Sequence, residues 1–334
     1  MEDRMRVAVV GLADGPEAEV GAAILACLDP TRYERFALLA EPNEAGALRE
    51  GIADHRRLLP HPSDPAFVGA LLEGAARDGW QALLGGSVEC NRVISAASES
   101  LAHAGVAVHG SDTRHLDQLY LDPPREVVES AELSAAQRIV VPDQPVAELF
   151  HTHLCWPLLF VGAGGERRWA ADSWEALRAI ESLRERSSAV AYISCDPLRV
   201  FELALVMDDD GRLLGSSAVR VLANDACARP WMAVTIQPSV LAESAARLAR
   251  ELGLAGPLQF QFTHADGQFT LLDIQPGFPA WIEVVTRGGP NLVELSLRKV
   301  PGHVPASPAP HTPPGVLFSQ TAEDYVVETT HNDS

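Results

Sequence analysis

The first third of the chain alternates short apolar runs with helix-forming segments, and this alternation limits the folds that it can adopt. The apolar runs are RVAVV, FALLA, ALLGGS and VAVHG, which begin at residues 6, 36, 82 and 106. The segments between them carry apolar residues at helical spacing, as in the stretch that follows Ser63 and Asp64. Strands that alternate with helices form parallel sheets. We therefore expect an α/β fold that begins with a parallel, doubly wound lobe over residues 1–112.

The later part of the chain has the turn signals of antiparallel sheets. CWPLLFVGAGGERRWAA is typical of two strands joined by a glycine turn, and the DDDG and ADG segments are typical of hairpin turns. PSVLAESAARLARELGL predicts a helix that ends at Gly253. We expect a small α+β lobe over 113–195, a larger α+β lobe over 196–302, and a proline-rich segment with an edge hairpin over 303–334.

Charge and composition narrow the classes of partner. The net charge of −19 argues against nucleic-acid and anionic-membrane partners. No apolar window approaches the roughly 18 residues of a membrane span, the start has no signal-peptide pattern, and the five cysteines form no CxxC pair, so we expect a cytoplasmic protein with reduced thiols. Of the 26 basic residues only Lys299 is a lysine. Either the lineage prefers arginine codons, or any chemistry that needs an ammonium group must use Lys299 or do without.

An acid, an amide and a proline end the apolar run TLLDIQPGFPAW, residues 270–281. A parallel lobe, a small antiparallel lobe and a larger lobe that ends in hairpin–acid–x–amide–Pro resemble the ATP-grasp superfamily. The resemblance is strongest to the carbamoyl-phosphate synthase large-subunit-like, single-domain carboxylate–amine ligases. Three segments carry it, namely 58–111, 155–166 and 253–302, and it extends from residue 6 to about residue 330. It implies a pre-ATP-grasp lobe followed by two α+β lobes that enclose a nucleotide cleft.

The resemblance implies ATP and Mg²⁺ as cofactors and an acylphosphate that is captured by an amine. Gln261, Asp273 and Gln275 stand at the metal-binding positions, where Asp273 replaces a Glu and Gln275 replaces an Asn. Carboxylate and amide oxygens suit Mg²⁺, although a single anionic ligand would bind it weakly. The alternative is that these side chains are merely the polar ends of strands above an empty cleft.

The phosphate-binding positions match the family only in part. Gly162, Gly164 and Gly165 stand in the glycine loop that would cover the phosphates. The two lysines of the family fall on Pro123 and Val161, neither of which can neutralise a phosphate or donate a side-chain hydrogen bond to it. This replacement argues against tight binding of ATP and Mg²⁺.

The resemblance also gives candidates on the nucleotide and catalytic sides of the cleft. In AVAYISCDPLRVFE, Tyr192 and Glu202 are the candidate nucleotide contacts. Arg167 and Arg168 could replace the missing lysines, or could be a solvated pair on a strand. Arg220 stands where relatives often keep a phosphate-facing arginine, and a surface arginine is an equal interpretation.

Two residues follow the third strand, at the edge where open α/β sheets bind ligands. Glu89 and Asn91 are therefore candidate contacts for an acceptor substrate, although Glu89 could instead cap a helix. The arginine that follows the proline in the family motif is Gly277 here. His151 and His153 could form a metal pair, but no third ligand has matching spacing.

Three functions are compatible with these residues. The first is a non-catalytic or weakly nucleotide-binding ATP-grasp protein of a biosynthetic pathway that binds a small carboxylate, a peptide, a protein partner or a second copy of itself. The second is a divergent ATP-dependent carboxylate–amine ligase. The third and weakest is a dehydrogenase that uses the first lobe, which lacks the GxGxxG pattern. The joint loss of both lysines, the motif Arg and the motif Glu favours the first.

Overall fold

A computed structural model describes most of the chain. The described ranges are 4–12, 20–40, 50–110, 124–141, 156–163, 165–225, 228–265, 267–305 and 312–319. Within these ranges, no helix is long and apolar enough to cross a membrane.

The first lobe is a five-stranded parallel sheet with helices on both faces. Its elements are β1 (Met5–Val10), α1 (Val20–Ala26), β2 (Tyr33–Leu39), β3 (His55–Leu58), α2 (Phe67–Asp78), β4 (Ala82–Gly85), α3 (Val88–Ala96), α4 (Ser98–His103) and β5 (Ala107–Val108). The strand order is β3-β2-β1-β4-β5, and every pairing is parallel. The predicted doubly wound lobe is confirmed.

Alternate residues of β1 explain why helices cover both faces of this sheet. Val7 and Val9 pack into the core that contains α1, whereas Ala8 and Val10 pack into the core that contains α2, α3 and α4. The edge strand β3 has the sequence HRRL and is only half-buried, so it lacks the apolar run by which the other strands are recognised.

The middle of the chain builds a small antiparallel sheet. Its elements are α5 (Arg125–Ser130), β6 (Ser134–Ala135), β7 (Ile139–Val140), β8 (Leu158–Gly162), β9 (Arg167–Ala170), α6 (Ser173–Arg184) and β10 (Val190–Ser194). Four of these strands form the small sheet in the order β7-β10-β8-β9, and α6 packs on one of its faces. Asp172 caps α6 by accepting hydrogen bonds from the backbone N–H groups of Trp174 and Glu175, both at 2.9 Å.

The last part builds a seven-stranded sheet. Its elements are β11 (Val200–Met207), β12 (Leu213–Asn224), β13 (Pro230–Ile236), α7 (Ser239–Glu251), β14 (Gly256–Ala265), β15 (Gln268–Pro276), α8 (Ile282–Thr286), α9 (Leu292–Ser296) and β16 (Leu317–Ser319). The order is β16-β13-β12-β11-β14-β15-β6, in which only β6 is parallel to its neighbour. The mixed α/β architecture is thus confirmed. The lobe boundaries at 112, 195 and 302 stay predictions, and β6 from the middle segment pairs with β15.

The first lobe and the seven-stranded sheet share one core. Trp281 is fully buried between them, and α1 packs against α8. At the edge of this contact, Arg32 forms an ion pair with Glu294 at 2.8 Å, and Asn291 Nδ2 donates to the Cys27 carbonyl at 2.7 Å. These contacts hold the first lobe against the sheet face that carries the candidate site.

Candidate functional site

Strand register collects five polar side chains on one face of the seven-stranded sheet. In the central pairings Glu202 lies opposite Gln261, and Gln261 lies opposite Asp273. Two residues along β14, Gln259 lies opposite Gln275. Partners in register and residues two apart point to the same face of a sheet. All five are buried, and this face is the one that faces the other two lobes.

Glu202 is the hydrogen-bond acceptor at the centre of the group. Its carboxylate accepts from Trp281 Nε1 at 2.8 Å, from Gln259 Nε2 at 2.9 Å and from Gln261 Nε2 at 3.2 Å. Burial raises the pKa of Glu202, while Arg167 and these three donors act in the opposite direction. Sequence reasoning placed Glu202 among the nucleotide contacts; the structure surrounds it with protein donors. No sequence signal pointed to Gln259 or Trp281, because Gln259 reaches Glu202 through strand register and Trp281 through the core shared with the first lobe.

Three buried oxygen atoms lie beside this network without a donor. Gln261 Nε2 donates to Glu202, so Gln261 Oε1 is the end of that amide left to accept a hydrogen bond. Gln261 Oε1 and both carboxylate oxygens of Asp273 are buried, and no donor of the described residues lies in hydrogen-bonding geometry to them. Burial raises the pKa of Asp273, and the nearby Arg167 and Arg138 oppose this rise. Oxygens of this kind suit a hard cation or a shared proton.

Arg167 brings a positive charge to the same place. Its Nη1 lies 3.8 Å from Asp273 Oδ2, and its Nη2 donates to Gln275 Oε1 at 3.4 Å. Strand pairing explains the orientation, because Arg167 lies opposite Val161 and shares its face of the small sheet. The guanidinium therefore approaches the predicted metal-binding hairpin from the other lobe, and only 7% of Arg167 is exposed.

The glycine loop is bonded directly to its surroundings. Gln275 Nε2 donates to the Gly165 carbonyl at 2.7 Å, and Arg92 from α3 donates to the Ala163 carbonyl at 3.3 Å. At Gly162 a Cβ atom would lie 2.4 Å from Ser187 Oγ. Hydrogen bonds from two other segments of the chain, β15 and α3, thus hold this loop. Gly164 and the predicted lysine position Pro123 lie outside the described residues.

Apolar side chains fill the space between the small sheet and the seven-stranded sheet. The cluster comprises Leu159, Val161, Ile193, Val200, Val221, Ala228 and Leu272. Every member is at most 2% exposed, and Val161, at the second lysine position of the family, is completely buried. The two sheets therefore touch directly at this end of the cleft.

Three predicted residues point away from this group. Arg220 lies opposite Phe201 in the register, on the face of the sheet opposite to Glu202, and it is exposed. Arg168 lies opposite Phe160, on the face of the small sheet that α6 covers. Tyr192 is on that same face, with its ring 5.8 Å from the ring of Phe160. The structure therefore does not bring Arg220, Arg168 or Tyr192 into the site.

A small cavity of about 80 Å³ with a mixed polar and apolar lining remains beside Glu202. Arg167, Gln275 and Asn91 are among its lining residues, so Asn91 of the first lobe reaches this cavity. Glu89 is exposed in the first turn of α3 and does not line this cavity. Ligand pockets for drug-sized molecules are usually about 300–1,000 Å³, so this cavity is smaller than a typical ligand pocket.

Gly277 and Lys299 are the remaining positions that bear on phosphate binding. Gly277 has φ +111°, and a Cβ atom there would lie 2.6 Å from Asn91 Nδ2. An arginine at the family's motif position would therefore need a different local backbone. Lys299 is ion-paired with Asp209 at 2.7 Å, in the hairpin turn between β11 and β12. His151 and His153 lie outside the described residues. The described residues hold no group of three or more His, Cys, Asp or Glu suited to a metal.

Comparison with known proteins finds similarity only at the level of structure. Neither a protein-family model nor a curated protein matches the chain. The biotin carboxylase domain of 2-oxoglutarate carboxylase from Hydrogenobacter thermophilus, solved with MgADP, ADP and bicarbonate, superimposes with a TM-score of 0.63 at 13% identity, over 90% of this chain and 70% of that one.

Two further structures are similar to the same extent. The L-amino acid ligase of Bacillus licheniformis gives a TM-score of 0.63 at 11% identity, over 91% of this chain and 76% of that one. The N5-carboxyaminoimidazole ribonucleotide synthetase of Thermus thermophilus gives a TM-score of 0.60 at 16% identity, over 93% of this chain and 81% of that one. At these identities the similarity shows a shared fold.

Proposed function

Because the chain has the ATP-grasp fold, we propose that it is a non-catalytic protein of that fold, in which side chains of the chain itself occupy the nucleotide and phosphate positions. It would act by binding a small ligand or a protein partner. Fold alone does not determine function when the site residues differ.

The observation that carries this proposal is the direct packing of the two sheets through Val161 and its apolar neighbours. Opening this contact for a purine ring would expose or displace side chains that are completely buried. Burial of each such side chain is worth about 1.5–3 kcal/mol. A nucleotide would have to offset that loss without the two lysines of the family.

The phosphate end of the cleft supports the same proposal. Arg167 supplies an internal positive charge beside Asp273, and Gln275 is bonded to the glycine loop. Both contacts would have to break before phosphates and Mg²⁺ could lie between the loop and the hairpin. The residues present therefore fit a cleft closed by the chain's own contacts better than a nucleotide site.

One observation favours the divergent ligase as a second candidate. Gln261 Oε1 and the two Asp273 oxygens are buried without donors among the described residues, and unpaired buried acceptors are costly. A divalent cation would satisfy all three. In this alternative, Gln261 and Asp273 would hold Mg²⁺ and Arg167 would face the phosphates.

Turnover of ATP separates the two candidates. Purified protein is incubated with ATP and Mg²⁺ in the presence of mixtures of amino acids and other small carboxylates, and ADP release is measured against Asp273→Ala. The non-catalytic proposal predicts no release above that of the variant. Release that requires Mg²⁺, a carboxylate and Asp273 would establish the ligase instead.

A further inference from the structure

A second pocket lies on the opposite face of the seven-stranded sheet. It has a volume of about 290 Å³, and its lining residues are Leu198, Arg199, Phe201, Arg220, His264 and Ala265. Phe201 and Arg220 are register partners and point away from Glu202. The pocket is therefore separated by the sheet itself from the cleft between the lobes.

The pocket is positively charged in a strongly acidic protein. Arg220 is exposed and, within the described part of the chain, its side chain makes no hydrogen bond or ion pair. Among the described residues Arg199 has one ion-pair partner, Asp196 at 3.5 Å, and both of these side chains are at least half exposed. Exposed pairs of this kind are weak and easily exchanged for another anion. Two guanidinium groups are thus available to a carboxylate, with which Arg forms bidentate hydrogen bonds.

The other side of the pocket is aromatic and held in place. The ring of Phe201 packs edge-on against Phe269 at 5.6 Å and against His264 at 6.1 Å. His264 and Phe269 are themselves 4.6 Å apart. Rings fixed by such contacts offer a preorganised apolar wall to a planar ligand.

We propose that this pocket binds a small aromatic carboxylate, with the carboxylate on Arg220 and Arg199 and the ring against Phe201 and His264. The volume lies just below the usual range of drug-sized ligand pockets and suits a single ring with a short acidic arm. This inference does not depend on whether the cleft between the lobes binds a nucleotide.

Binding at this position also ties the two sheets together. Leu198 and Arg199 belong to the short 3-10 helix Pro197–Arg199, which joins β10 of the small sheet to β11 of the seven-stranded sheet. Arg220 and His264 belong to the seven-stranded sheet. A ligand held by both parts restrains this connection, so its backbone amides are expected to exchange more slowly when the pocket is filled.

The test uses phenylacetate as the probe, and its binding is measured by calorimetry and by ligand-observed NMR. A ligand of about ten heavy atoms is expected to bind with a dissociation constant of about 1 mM. Acetate lacks the ring and benzylamine reverses the charge, so both should bind at least tenfold more weakly. Hydrogen exchange should slow in the peptide that covers Pro197–Phe201.

Matched variants locate the site. Arg220→Gln and Phe201→Ala should each weaken phenylacetate binding at least tenfold, whereas Arg212→Gln, at an exposed arginine in the β11–β12 turn, should leave it unchanged. Circular dichroism confirms that each variant is folded, and Arg220→Lys, which keeps the charge without the planar fork, should bind with intermediate affinity. The proposal is overturned if phenylacetate shows no saturable binding, if benzylamine or acetate binds equally well, or if Arg220→Gln binds like the unaltered protein.

Discussion

Arg167 and Asp273 face each other across the cleft between two lobes, with Nη1 3.8 Å from Oδ2 and both side chains buried. The resemblance to ATP-grasp enzymes implies a metal ion at this carboxylate. The structure instead places a guanidinium of the chain itself beside it. Access to the cleft for a nucleotide therefore depends on whether this internal pairing is permanent.

Removal of Arg167 should leave the buried Asp273 carboxylate without the larger of its two nearby positive charges, the other being Arg138. Arg167→Met is expected to lower the free energy of unfolding by about 3–5 kcal/mol, because breaking one partner of a buried pair leaves the other charge uncompensated. Urea denaturation measures the change. Arg167→Met combined with Asp273→Leu should recover much of the loss. Arg168→Met, on the opposite face of β9, is the control and should cost about 1 kcal/mol; equal losses for Arg167→Met and Arg168→Met would contradict the role given to Arg167.

Restoring a lysine at the family's position should harm the protein. Val161→Lys places an amine in a completely buried apolar cluster, so a loss of at least about 3 kcal/mol in unfolding free energy is expected. Val240→Lys, at an exposed valine of α7, is the matched control and should be nearly neutral. A Val161→Lys protein of unchanged stability that gained ATP binding would show that the cleft opens readily.

The hydrogen-bond network around Glu202 should be a stabilising element. Glu202→Gln replaces one acceptor oxygen by an NH₂ group in front of three donors, of which Trp281 Nε1 is the closest. We expect a loss of about 2–4 kcal/mol, measured by chemical denaturation. Trp281→Phe removes one of the three donors, so the stability lost through this network should be smaller than for Glu202→Gln. Trp281→Phe also changes the packing of the shared core. A Glu202→Gln variant with unchanged stability would mean that water replaces these hydrogen bonds.

Acid pH should weaken the ion cluster that Asp78 forms with Arg57 and Arg77 in the first lobe. Hydrogen bonds from Arg77 and then from Arg57 lower the pKa of Asp78 from 3.8 to about 2. A lowered pKa in the folded state means that the stabilisation is present above pH 3.8 and is lost as the pH falls through about 2.

Asp78→Asn tests this dependence. The stability difference between the protein and Asp78→Asn should be about 1 kcal/mol near neutral pH and should shrink as the pH falls below about 4. Asp210→Asn, in an exposed hairpin turn, serves as the control. A difference that stays constant down to about pH 2 would rule out the ion cluster as its source.

Sequence patterns predicted the elements and the order of the lobes better than they predicted the site. Apolar runs and turn residues are local signals, so β1, β2, β4 and the hairpin β14–β15 could be recognised directly. The face on which a strand residue lies depends on register, which is not local. Arg167 and Arg168 are adjacent in sequence, and only the pairing with Val161 and Phe160 decides which one enters the cleft.

The same limitation explains the positions of Arg220 and Trp281. Arg220 lies in a strand whose sequence pattern would allow it on either face, and its pairing with Phe201 places it on the face away from Glu202. Trp281 reaches Glu202 because the segment after β15 folds back into the core shared with the first lobe. Neither contact has a signal within its own stretch of sequence.

The most direct test of the closed cleft is a calorimetric titration with a non-hydrolysable ATP analogue and Mg²⁺, carried to about 5 mM nucleotide. A closed cleft predicts no saturable heat for the unaltered protein, and an identical trace for Asp273→Ala. Saturable binding with a dissociation constant below about 1 mM, lost in Asp273→Ala, would contradict it.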